Sequence, residues 1–141
     1  MRSINGKVFV EGQKHDIKEL VEIVEILRSE QGCEWDRAQT HETLKKCLVD
    51  ESKEVLDAID KKDDVNLCEE LGDLLLQVLM NVQIAKERNA FDFEKVVQGL
   101  SDKLIRRHPH VFGDEKRPST AEESLKLWKS VKQKEKANKK P

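Results

Sequence analysis

The sequence predicts an all-α protein, a bundle of about five helices, on three observations. Apolar residues recur at three- and four-residue spacing over five separate stretches. A side chain suited to cap a helix N-terminus stands ahead of each stretch, at Asp16, Thr40, Asp63 or Asp64, Asp92 and Ser119. At 141 residues and 37% hydrophobic content the chain supports one domain with a real core, but not two.

Taken in order, residues 1–14 are polar and irregular, with Val8, Phe9 and Val10 offering a short strand or cover for a core edge. From His15 to Arg28, the residues Ile17, Leu20, Val21, Val24 and Leu27 mark the first core helix. Glu30 to Gln39 reads as a loop entered through Gly32. Its Trp35 is either a core plug or a platform for a ligand. Thr40 caps a second helix running to about Asp60, and a polar turn leads into a third that reaches about Asn89. So short a connection makes these two helices antiparallel neighbours. Gly72, inside the third helix, costs about 0.5–1 kcal/mol relative to Ala, so a close backbone approach is expected there.

A fourth helix is expected from Phe93 to about Arg107, with Val96, Val97, Leu100 and Leu104 facing inward and Pro109 stopping it. Ser119 and Glu122 form a capping box for a fifth, which contains Leu125, Leu127, Trp128 and Val131. Residues 133–141 read as a Lys-rich disordered tail, leaving 15–132 as the helical domain.

Composition narrows function. Lys+Arg number 26 against Asp+Glu 28, a net charge of −2, so no global field points to polymeric nucleic acid or to an acidic membrane. The N-terminus lacks a signal-peptide core, and the expected location is cytoplasmic. Cys33, Cys47 and Cys68 are odd in number and widely spaced, which reads as reduced thiols.

The chemistry is concentrated in the second and third helices. Glu51 falls within the stripe formed by Leu44, Leu48, Val55, Ala58 and Ile59, while Glu70, Asp73 and Gln77 form a polar seam between two apolar sides of the third helix. Solvated helix charges usually have intrahelical partners. No Lys or Arg stands three or four places from Glu51, Glu54, Glu70 or Asp73, whereas acidic neighbours do. Each like-charge pair costs about 0.2–0.5 kcal/mol, so positive charge must come from outside the helix. Four carboxylates without His or Cys suit a hard cation, Mg²⁺ or Mn²⁺, which commonly shares its coordination with substrate phosphates. Lys103, Arg106 and Arg107, in the last turns of the fourth helix, either complement its dipole or bind phosphate. A helix apolar on two sides also implies a homodimer or higher homo-oligomer.

Several ordered motifs then meet a known pattern. Gly32-Cys33-Glu34-Trp35-Asp36, Gln39-Thr40-His41, Asp50-Glu51-Ser52-Lys53-Glu54, Glu69-Glu70-Leu71-Gly72-Asp73 and the run from Lys103 through Arg107-His108-Pro109-His110-Val111-Phe112 to Gly113 resemble the MazG nucleoside triphosphate pyrophosphohydrolases. The resemblance covers about Asp16 to Lys132. It implies an all-α dimeric protein that uses Mg²⁺ to hydrolyse a nucleoside triphosphate to the monophosphate and pyrophosphate, water attacking the α-phosphorus. It also implies Glu51, Glu54, Glu70 and Asp73 as metal ligands, Lys103 and Arg107 at phosphate-contacting positions, and Trp128 with Lys132 as a nucleotide-contacting pair. Asp50 departs from the two glutamates that usually open the first acidic motif, and Glu34 stands where proline is common. The chain holds one such module where some relatives hold two. Two other functions compete: a house-cleaning enzyme for one modified or deoxy nucleotide, and a nucleotide-binding or dimerisation module without turnover.

Overall fold

Short side chains set the helix starts. Asp16, Thr40, Asp63 and Asp92 each accept a hydrogen bond from the backbone N–H three residues on, and Thr40 is tied reciprocally to Thr43 in a capping box. In the computed structural model, which describes residues 2–139, the helices are α1 (Ile17–Leu27), α2 (Glu34–Ala38), α3 (His41–Asp60), α4 (Asp64–Glu87), α5 (Phe93–Arg107), α6 (Pro109–Phe112) and α7 (Ala121–Asn138). They are preceded by an antiparallel hairpin of β1 (Ser3–Ile4) and β2 (Lys7–Val8), with Ser3 opposite Val8 and Ile4 opposite Lys7. Asn5 and Gly6 supply the positive φ angles that a two-residue hairpin turn requires. The fold is all-α, as expected, and the two extra helices are short.

The chain divides after Phe91 into two compact units. In the first, α3 and α4 form the main antiparallel pair and α1 packs on α4. The reversal between α3 and α4 is tight: Lys62 takes a left-handed conformation, and the Asp63 N–H donates to the Ala58 carbonyl. Val24, Leu44, Val55, Ala58, Leu79, Met80, Val82, Ile84 and Ala85 make the core. The buried part of α4 is therefore its C-terminal half. Leu71 and Leu75, in its N-terminal half, and Leu76 at its middle are exposed. Arg28, whose side chain is 7% exposed, bonds both carboxylate oxygens of Glu87 and the carbonyls of Asp36 and Gln39, joining the ends of α1, α2 and α4.

In the second unit α5 packs with α6 and α7. Several expectations change here and in the connections. Glu30–Gln39 is not wholly loop, because Cys33 opens the short helix α2. Trp35 is 61% exposed and is not a core plug. A Cβ added at Gly72 would meet nothing within 4 Å, so no backbone approaches it closely. Val96, Val97, Leu100 and Leu104, expected to face inward, are exposed. Pro109 ends α5 but begins α6, its fixed φ and missing N–H suiting a first helical position. Thr120, not Ser119, caps α7; it accepts from the Glu123 N–H, while Glu123 accepts from the N–H and hydroxyl of Ser119. Finally, α7 continues to Asn138, so most of the stretch read as a disordered tail is helical. Lys140 and Pro141 lie outside the described residues.

Candidate metal and nucleotide sites

Because α3 and α4 run antiparallel from a turn of fixed length, the middle of α3 faces the first turns of α4. This brings Glu51 to Glu70 and Asp73. One carboxylate oxygen from each of the three lies within 4.8 Å of the others, and all three side chains are half-buried. Oε2 of Glu51 is enclosed without a hydrogen-bond partner. Among the described residues, no salt bridge reaches Glu51, Glu54, Glu70 or Asp73. A buried carboxylate oxygen left alone beside two other acids is costly unless a cation completes it. The donor set is all oxygen, and it fits a hard divalent ion.

The electrostatics agree with that fit. The pKa of Glu70 is raised, first by hydrogen bonding with Glu51, then by burial, and then by the negative charges of Glu51, Asp73 and Glu69. Glu54 stands one turn along α3 from Glu51, is exposed, and lies outside the close triad. Gln77, one turn beyond Asp73, is buried with its Oε1 unpartnered. Beyond it runs a directed chain: Arg88 donates to His41 Nε2, Nδ1 of His41 donates to Asn81 Oδ1, and the Asn81 amide donates to the Gln77 carbonyl. Sequence reading placed Gln77 in the polar seam but missed this chain, because His41 and Asn81 are 40 positions apart.

In the second unit, α5 and α7 assemble a cationic and aromatic face. The Arg107 guanidinium lies 5.4 Å from the centroid of the Trp128 ring, and Lys132 Nζ lies 4.9 Å from it. A groove of about 220 Å³ is lined by Trp128, Lys129, Lys132, Gln133 and Lys136. Arg106 and Arg107 both pair with Glu135, Arg107 through Nε and Nη2 at 3.2 and 3.0 Å. Lys103, one turn before Arg107, is exposed. The structure thus brings Arg106, Arg107, Trp128 and Lys132 together. Sequence reading missed Glu135 because it fell in the supposed tail. The signal available was one acid among lysines, on the helical face shared with Trp128 and Lys132.

Antiparallel helices that gather unpaired carboxylates define a class, helical proteins with an acidic cluster able to hold a hard cation. Comparison with known proteins makes the class specific. A family model for the MazG nucleotide pyrophosphohydrolase domain matches residues 39–112. The nucleoside triphosphate pyrophosphohydrolase/pyrophosphatase MazG of Thermotoga maritima is 54% identical over 123 residues, covering 87% of this chain and 46% of the relative. The nucleoside triphosphate pyrophosphohydrolase of Escherichia coli K12 is 44% identical, covering 89% and 48%. The crystal structure of a mazG-related protein from Thermotoga maritima superposes with a TM-score of 0.68 at 36% identity, covering 83% of this chain and 99% of that one. The chain belongs to the MazG nucleotide pyrophosphohydrolase family. It spans about half the length of these two curated relatives.

Proposed function

We propose that this protein is a divalent-cation-dependent nucleoside triphosphate pyrophosphohydrolase, with Mg²⁺ as the cation and Mn²⁺ as a substitute. The observation that carries the reading is the convergence of Glu51, Glu70 and Asp73 around a buried, unpartnered carboxylate oxygen. Family membership and the names of its relatives support it. Glu51, Glu70 and Asp73 would hold the cation; Glu54, exposed one turn along α3 and outside the triad, would have to swing towards them to join as a fourth ligand. When bound, the cation supplies Lewis acidity, withdrawing charge from phosphate oxygens and making water a better nucleophile at neutral pH.

The remaining work falls to the chain itself. Lys103 and Arg107 meet the negative charge of the phosphates, and Trp128 with Lys132 contacts the nucleotide. Water forms a bond to the α-phosphorus as the bond to the bridging oxygen breaks, giving the monophosphate and pyrophosphate. The exposed apolar residues of α3 and α4 support assembly as a homodimer or higher homo-oligomer, among them Leu48, Leu56, Ile59, Leu71, Leu75 and Val78. No helix among the described residues is long and apolar enough to cross a membrane. The three free cysteines accord with a cytoplasmic location.

The test is product analysis by ion-exchange chromatography, using canonical, deoxy and modified triphosphates with Mg²⁺ and with chelator. Monophosphate and pyrophosphate, formed only with metal, are expected. Turnover confined to one modified or deoxy substrate would make it a house-cleaning enzyme. Diphosphate with phosphate would overturn the site of attack, and no product from any substrate would indicate a binding module without turnover.

A further inference from the structure

The second unit concentrates more positive than negative charge around Trp128. Arg106 and Arg107 converge on a single carboxylate, Glu135, whose side chain is 10% exposed. Lys129, Lys132 and Lys136 line the adjoining groove. Glu135 therefore occupies the guanidinium fork that a phosphate group would use: Arg106 donates to its Oε1, and Nε and Nη2 of Arg107 both donate to its Oε2. Any anion that uses the fork must first displace it.

We propose that Glu135 is an internal stand-in for the polyphosphate, competing with substrate for Arg106 and Arg107 and thereby setting the affinity of the site. This rests on the reading of Arg107 as a phosphate-binding residue. A carboxylate brings one negative charge and two acceptor oxygens, whereas a pyrophosphate group brings several charges and more acceptors. The exchange therefore favours polyphosphates over singly charged anions, which a fork without Glu135 would hold more readily. The same exchange frees Arg107 from Glu135, so that its guanidinium, 5.4 Å from the centroid of the Trp128 ring, is open to phosphate beside the aromatic side chain. Glu135 is an affinity-setting residue; it has no part in the chemistry at phosphorus.

The test is calorimetric titration of the full chain with inorganic pyrophosphate, comparing wild type, Glu135→Gln and Arg107→Gln, with circular dichroism to confirm folding. Glu135→Gln should bind pyrophosphate roughly three- to tenfold more tightly, and in turnover assays should lower KM with kcat little changed. Arg107→Gln should bind it weakly. A folded Glu135→Gln protein that binds no tighter than wild type, while Arg107→Gln still loses binding, overturns the competition and leaves the phosphate role of Arg107 standing. Unaltered binding by Arg107→Gln removes that role and the competition with it. A crystal structure of the wild type with pyrophosphate gives a check independent of the variant's folding. Glu135 should have left both arginines; both ion pairs intact beside bound pyrophosphate would refute the proposal.

Discussion

Single side chains carry the charge imbalance on which the functional reading depends. Asp73 shares its half-buried triad with two glutamates and, among the described residues, has no basic partner. The Asp73→Asn variant removes a charge but little volume, so it should fold like the wild type. Metal-dependent turnover should fall by about 100-fold or more, since losing a ligand costs no less than disturbing the groups that orient one. Pyrophosphate release at saturating Mg²⁺ checks it, and wild-type activity would remove Asp73 from the site. Glu135 makes a different prediction. Hydrogen bonds from Arg106 and Arg107 hold its pKa at about 2, below the ordinary carboxylate value. A depressed folded-state pKa contributes stability that is present above the unfolded value and lost as pH falls towards the folded one. Acid titration of unfolding should therefore show wild type losing stability from about pH 4.5 down to about pH 2, with this part of the loss missing in Glu135→Gln.

Helix ends and turns decide how those side chains meet. Gly32 follows α1 at a place where the chain folds back on its last carbonyls: Gly32 N–H donates to Ser29, and Cys33 N–H to Leu27. A Cβ built at Gly32 would fall 2.2 Å from the carbonyl oxygens of both Ile26 and Leu27. These are backbone atoms and cannot swing aside. Gly32→Ala should cost about 1–3 kcal/mol or more by overpacking, and chemical denaturation would register it as a lower midpoint with an unchanged slope. Gly72 is the opposite case, a mid-helix glycine with open space around it.

The whole molecule adds a question of partners. If the exposed side of α4 stayed in solvent, Gly72→Ala would raise stability by about 0.5–1 kcal/mol through helix propensity alone. A second copy packed against that side would make the added methyl group a clash. Our proposal of self-association therefore predicts that wild type sediments as a dimer or larger at micromolar concentration, and that Gly72→Ala weakens the assembly. A wild-type monomer at that concentration would refute it. Within the second unit, α5 also leaves exposed its stripe of Val96, Val97, Leu100 and Leu104, which was expected to face inward.

What the sequence determined by itself was local and periodic. The caps at Asp16, Thr40, Asp63 and Asp92, the span of α5, the antiparallel pairing of α3 and α4, and the acid spacing all follow from interactions within a few residues. Such interactions are written directly in the order of the chain. The resemblance that points to the MazG family was legible for the same reason, since its motifs are short and ordered. Only the tertiary structure decided which acids converge: Glu51, Glu70 and Asp73 meet, while Glu54, equally well spaced, lies outside the triad. It also decided that Trp35 is exposed, that α7 carries Glu135 to two arginines, and that Arg28 joins three helix ends. Contacts of that kind depend on where whole helices are set against one another, and no spacing along the sequence encodes that.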